Sequence, residues 1–244
     1  MAILACMTAT SVAEITIEEI VVSARKRAEN LQEVPIAVTA FTESQIESAG
    51  IQRPADFISL MPNVTMVDSA NVGDTQVSIR GIVSTRDAES TFAYVVDGVL
   101  VTNPNGFNEE LMDVSQIEVL KGPQGTMYGG SNIGGAIKYV TKRPTTDGSS
   151  GKVKLLAGEQ GVVDGEVSLN LPLNDDWAMR VFGYSRTDDG FMTNPNSASP
   201  VFGEISNHPK NITQYDESAV RLSLSGNISD TFSIYATARY SEYD

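Results

Sequence analysis

The segment from Val114 to Pro144 reads V-S-Q-I-E-V-L-K-G-P-Q-G-T-M-Y-G-G-S-N-I-G-G-A-I-K-Y-V-T-K-R-P, and it restricts the fold more than any other part of the chain. Ile117 and Val119, then Ile137 and Tyr139, recur at period two, which predicts two half-buried strands. Between them six glycines and Pro123 occupy positions 122 to 135. Glycine adopts positive φ and lets another backbone approach closely, so the loop is built to fold tightly rather than to carry side-chain chemistry. A nucleotide-binding reading of these glycines fails. The loop lacks a Gly-Lys-Ser/Thr ending, and a strand follows it, so no helix N-terminus awaits a phosphate.

A net charge of -14 argues against a nucleic-acid partner, because no basic patch can neutralise phosphates. Cys6 is the single cysteine, which rules out an intrachain disulfide and a cysteine-based zinc site. His208, the single histidine, lies in the polar run Ser206 to Lys210 and reads as a solvated loop residue. Met1 to Ala13 is an apolar stretch ending in small residues without a basic start, as expected of the tail of a secretory signal. No run reaches the roughly 18 apolar residues of a spanning helix. Membrane insertion would therefore have to come from strands, which satisfy their backbone groups in lipid only in a closed barrel.

Upstream of the glycine loop the pattern is mixed. Glu14 to Ala24, E-I-T-I-E-E-I-V-V-S-A, is a short β-prone leader followed by Arg25, Lys26 and Arg27. A strand this short has no stability of its own, so it is expected to stay loose until it finds a sheet edge. Thr42 to Gln45 forms a capping box before a short helix with Ile46 and Ala49 on one face and Gly50 at its end. Pro54 opens a second helix carrying Phe57, Leu60 and Met61, and Pro62 closes it. Val77 to Gly81 alternates as a strand, and Tyr94 to Val101 is a hairpin whose Asp97-Gly98 pair suits a type I′ turn. Short helices and strands in this order predict an α+β domain at about residues 30 to 143.

At these residues the chain resembles the plug domain of TonB-dependent outer-membrane receptors. The signature I-E-V-L-R-G-P-Q-G-x-x-Y-G-x-x-x-x-G-G-x-I matches from Ile117, with Lys121 where the family usually has Arg. V-P-I-A-V-T-A-F from Val34, D-F-I-S-L-M-P-N-V from Asp56, S-I-R-G at Ser78 and V-V-D-G-V from Val95 match in the same order. The resemblance implies a bacterial outer-membrane receptor that takes up an extracellular small molecule, most often a ferric siderophore or similar metal chelate. It implies no enzyme activity and no cofactor or metal.

The resemblance makes Ile17, Glu18, Glu19, Ile20, Val21, Val22, Ser23 and Ala24 the TonB box. This segment binds periplasmic TonB by strand addition and so couples the plug to an inner-membrane energising complex. It also implies that Arg80, Glu118 and Lys121 make structural ion pairs to the barrel wall or to each other. A lysine at 121 keeps the charge of the usual arginine but loses its bidentate geometry. Plug-apex loops give Ser84, Thr85, Arg86, Asn103, Asn105 and Phe107 as candidate substrate contacts.

After a linker at 144–151 the texture changes to repeated alternation. Lys152 to Ala157, Glu166 to Leu171, Ala178 to Arg186, Ala219 to Ser225 and Phe232 to Tyr240 each read as strands. Val167, Leu169 and Leu171 share one face of the second, with Glu166, Ser168 and Asn170 on the other. Such a pattern suits a transmembrane barrel with lipid outside and a wet lumen, and a soluble sandwich gives the same pattern; taken alone the alternation favours the soluble sheet, and the plug resemblance reverses that preference.

The expected fold is thus an α+β plug domain followed by antiparallel strands of an incomplete transmembrane β-barrel. Its expected parts are 1–13 signal remnant, 14–29 TonB box and leader, 30–143 plug, and 152–244 the first four or five barrel strands. A 22-stranded barrel needs far more chain than the roughly 94 residues after position 150, so a fragment is expected. The competing reading is a secreted α+β binding or adhesion module without transport.

Overall fold

The computed structural model describes residues 20–23, 27–67, 75–84, 90–102, 107, 111–130, 132–159, 161–190 and 214–243. The expected signal remnant at 1–13 lies outside them. In chain order the elements are β1 (Val21–Val22), β2 (Glu29–Asn30), β3 (Ala37–Thr42), α1 (Glu43–Ser48), α2 (Pro54–Ser59), β4 (Val64–Val67), β5 (Gln76–Ile79) and β6 (Ile82–Val83). There follow β7 (Phe92–Val96), β8 (Val99–Val101), β9 (Val114–Lys121), α3 (Gly125–Tyr128), β10 (Gly135–Thr141), β11 (Ser150–Ala157), β12 (Val163–Pro172), β13 (Trp177–Asp188), β14 (Tyr215–Ser229) and β15 (Phe232–Tyr243).

Local chemistry sets the turns and helix ends of the first domain. The Thr42 N–H donates to Gln45 Oε1 at 3.0 Å, closing the capping box of α1, and Gly50 leaves that helix at φ 65. Pro54 begins α2, where Asp56 Oδ2 accepts the N–H groups of Gln52 and Arg53 at 2.8 Å each. Phe57, Ile58 and Met61 bury that helix, whereas Leu60, expected on its apolar face, is exposed. Asp97 (φ 49) and Gly98 (φ 88) turn β7 into β8, with positive φ at both positions as a type I′ turn requires.

The order β3-β9-β10-β7-β8 forms a five-stranded sheet, antiparallel except where β10 runs parallel to β7. Alternation predicted that β9 and β10 are half-buried; instead they are covered on both faces, with Ile117, Glu118, Val119 and Leu120 all 0 % exposed. Ile117, Val119, Ile137 and Tyr139 face one core with Phe57, Phe92 and Phe107. Leu120 and Ala136 face a second with Val95 and Tyr128 of α3, a single helical turn inside the glycine loop. A central strand packed on two sides buries both parities of its side chains.

The second unit is a five-stranded antiparallel meander, β11 to β15 in sequence order. Every strand expected there forms, and β13, β14 and β15 run for 12, 15 and 12 residues. Each is long enough for the roughly 9 to 11 residues that a tilted strand needs to cross a bilayer.

Candidate functional site

The faces of the meander are inverted relative to a soluble sheet. Val153, Val167, Val220 and Tyr240 are 68 %, 41 %, 47 % and 64 % exposed, while Asn170, Ser223, Arg221 and Asp164 are buried. Register aligns this pattern across strands: Val153, Val167, Gly183, Val220 and Tyr240 lie in one outward row, and Leu169, Val181, Leu222 and Ala238 in the next. The polar face turns inward onto the first domain.

Asp113, at φ 51 just before β9, is the centre of that junction. Arg180 of β13 grips it with Nε to Oδ2 at 2.6 Å and Nη2 to Oδ1 at 2.8 Å. Arg221 of β14 adds Nη2 to Oδ2 at 3.1 Å and donates through Nη1 to the Met112 carbonyl at 3.0 Å. A fork-to-fork pair of this kind fixes orientation as well as charge. A second group joins Arg53 to Glu217, which also accepts from the Tyr184 hydroxyl. In a third, Gln52 donates to Asp164 Oδ2 at 3.0 Å and accepts from Arg186 Nη1 at 2.9 Å. Met112 packs with Phe182, Tyr184 and Ala219 between these polar groups. Beside Asp113 a cavity of about 390 Å³ separates α1 from the wall. At its rim the hydrogen bond from Lys152 holds the Glu47 carboxyl below its usual range, against a smaller opposing effect of burial.

Among the described residues of the leader, Val21 to Ser23 are docked rather than loose. Val21 and Val22 pair antiparallel with Asn30 and Glu29, and Val22, 1 % exposed, packs with Val34 and Ala40. Ser23 N–H donates to Glu118 Oε1 at 3.0 Å, Lys138 Nζ donates to the Ser23 carbonyl at 3.1 Å, and Gln116 Nε2 donates to the Val21 carbonyl at 2.9 Å. Among the expected TonB-box residues, Ile20, Val21, Val22 and Ser23 are therefore placed; Ile17, Glu18, Glu19 and Ala24 lie outside the described residues.

The expected ion pairs of Arg80, Glu118 and Lys121 differ from those found. Glu118 pairs with Lys138 at 3.6 Å, inside the first domain and not with the wall. Arg80 (φ 53) and Gly81 (φ 81) form the two-residue turn between β5 and β6. Lys121 donates to the Pro62 carbonyl at 3.0 Å, and its ammonium is pushed down by burial and then by the like charge of Arg80. Two candidate substrate contacts are structural. Phe107, 1 % exposed, sits edge-on to Phe92 and Tyr94 at 5.1 and 5.2 Å. Ser84 is buried with its hydroxyl 3.0 Å from that of Thr91. Thr85, Arg86, Asn103 and Asn105 lie outside the described residues. Sequence reading missed Asp113, Arg180 and Arg221. For the two arginines the one local signal is a charged residue at the inward parity of a strand whose outward neighbours are apolar.

Residues 30–136 match the family described as the TonB-dependent Receptor Plug Domain. The pesticin receptor of Yersinia pestis is 28 % identical over 170 residues, which is 69 % of this chain and 25 % of the relative. The iron-regulated outer membrane virulence protein of Vibrio cholerae is 29 % identical over 192 residues, 71 % of this chain and 28 % of the relative. The chain thus spans about a quarter of the length of these relatives. In fold, the ferric yersiniabactin uptake receptor FyuA of Yersinia pestis superposes with a TM-score of 0.75 at 24 % identity, covering 85 % of this chain and 32 % of that one.

Proposed function

We propose that this chain, whose residues 30–136 belong to the TonB-dependent receptor plug domain family, supplies the gate and wall strands of an outer-membrane receptor for a ferric siderophore or similar metal chelate. One observation carries the reading: a sheet that presents apolar rows outward while its polar face grips the plug through Asp113, Arg180 and Arg221. In water that arrangement exposes what a soluble sheet would bury; in lipid it matches a barrel wall around an occluding domain. The secreted-module alternative is disfavoured by the same orientation. Relatives that include a ferrioxamine B receptor of Salmonella typhimurium support an iron chelate as cargo.

No covalent bond changes in such transport, so the work is conformational. Cargo binds above the plug, and TonB, energised by its inner-membrane partners, adds a strand to the leader and pulls the plug toward an open arrangement. The leader's geometry makes a sharp test. Leu31 N–H donates to the Ile20 carbonyl at 2.9 Å, so Ile20 and Val22 face β2, and Val21 faces away from it. Val21→Pro therefore removes a donor from the outward edge while sparing the β1–β2 ladder. In cells carrying the full-length receptor, this variant is expected to bind radioiron-loaded chelates at the surface as the parent does and to lose their uptake. Undiminished uptake would place the coupling segment elsewhere.

A further inference from the structure

The outward edge of the leader is met by side chains where a strand would otherwise lie. Val21 and Ser23 present their backbone groups to that side. There Gln116 Nε2 donates to the Val21 carbonyl at 2.9 Å, Glu118 Oε1 accepts the Ser23 N–H at 3.0 Å and its hydroxyl at 3.1 Å, and Lys138 Nζ donates to the Ser23 carbonyl at 3.1 Å. Gln116 and Glu118 are two residues apart on β9, and Lys138 is the cross-strand partner of Glu118 on β10, so all three project from one face of the sheet. They reproduce the alternation of donors and acceptors that a neighbouring strand would offer.

We propose that Gln116, Glu118 and Lys138 form a surrogate strand edge, which occupies the hydrogen-bonding groups of Val21 and Ser23 until a periplasmic partner strand displaces it. The inference rests on the strand-addition reading above and adds what opposes it. A backbone N–H satisfies one acceptor at a time, so docking to the plug and pairing with a partner compete for the same groups. Backbone hydrogen bonds to a partner are generic; the side chains that hold the resting state are specific to this plug.

The clasp is also built to let go. The Glu118–Lys138 pair has side chains 0 % and 8 % exposed, and Glu118 Oε2 is buried with no hydrogen-bond partner among the described residues. A buried carboxylate with an unmet oxygen is costly, and water entering as the leader departs would meet it. Closure therefore holds the leader while leaving a part of its own hydrogen-bonding demand unfilled.

The test places a nitroxide on Val21→Cys, half-exposed, in the full-length receptor in outer-membrane vesicles, with any other cysteine replaced by serine. Gln116→Ala and Ser23→Ala are the gentle variants, and Glu118→Gln with Lys138→Met is the stronger one. Each gentle variant is expected to raise the mobile fraction of the label and to tighten binding of the isolated TonB periplasmic domain by about threefold without cargo, and the double variant by about tenfold. Hydrogen exchange at β9 and β10 monitors the plug. If the label stays as immobile as in the parent while those amides remain protected, the surrogate edge is wrong. If the label is freed but no receptor, parent included, binds the TonB domain, the clasp stands and the strand-addition reading falls.

Discussion

Asp113 shows how much one side chain can decide. Its carboxylate is 4 % exposed and sits between guanidinium groups 10 % and 6 % exposed, from two adjacent wall strands. Bringing these charges out of water is repaid only while all three are together. Asp113→Asn keeps the volume but leaves two buried cations facing a neutral amide, and is expected to cost about 3 to 5 kcal/mol of plug–wall association. Limited proteolysis of the plug in the full-length receptor, followed across a urea series, measures this. A digestion curve that does not move would show that the junction is held elsewhere. The Arg80, Glu118 and Lys121 contacts were expected in this role, and the reason they do not fill it is geometric. Glu118 lies on the sheet face that meets the leader, while Arg80 and Lys121 close a turn and cap a carbonyl.

The hairpin of β9, α3 and β10 is the element on which leader, core and wall converge. Its loop chemistry was legible from the six glycines, and one of them is irreplaceable for a reason that only contacts reveal. Gly135 has φ 155, and a Cβ there would lie 2.1 Å from the Leu120 carbonyl oxygen across the ladder. Gly130 has φ 44 and open space around the same position. Gly135→Ala is therefore expected to cost about 3 kcal/mol or more, and Gly130→Ala about 1 kcal/mol. Hydrogen exchange at Lys121 and Ala136 reads the difference; equal protection in the two variants would refute it. Helices α1 and α2, the Asp97-Gly98 turn and all five later strands follow from rules acting over a few residues, whereas α3 was not read from the glycine loop. The double burial of β9 does not, because it depends on which elements cover each side.

Taken as a whole, the molecule is organised by the contrast between an outward apolar surface and an inward polar one. Leu222 stands in an outward row with Leu169, Val181 and Ala238. Leu222→Arg on a lipid-facing surface is expected to cost about 2 to 4 kcal/mol near the midplane and to lower the amount of folded receptor in the outer membrane. On a solvent-facing sheet the same change would fall within about 0.5 kcal/mol. An unaltered membrane level would overturn the barrel reading. The order of residues along the chain was enough to specify caps, turns, strand segments and the plug signature, because each of these depends on neighbours close in sequence. Period-two alternation, however, is symmetric between its two faces, and nothing local says which is wet. That choice, the meeting of Asp113 with arginines 67 and 108 residues away, and the clasp on Ser23 came only from docking and register, which bring together groups that the chain keeps far apart.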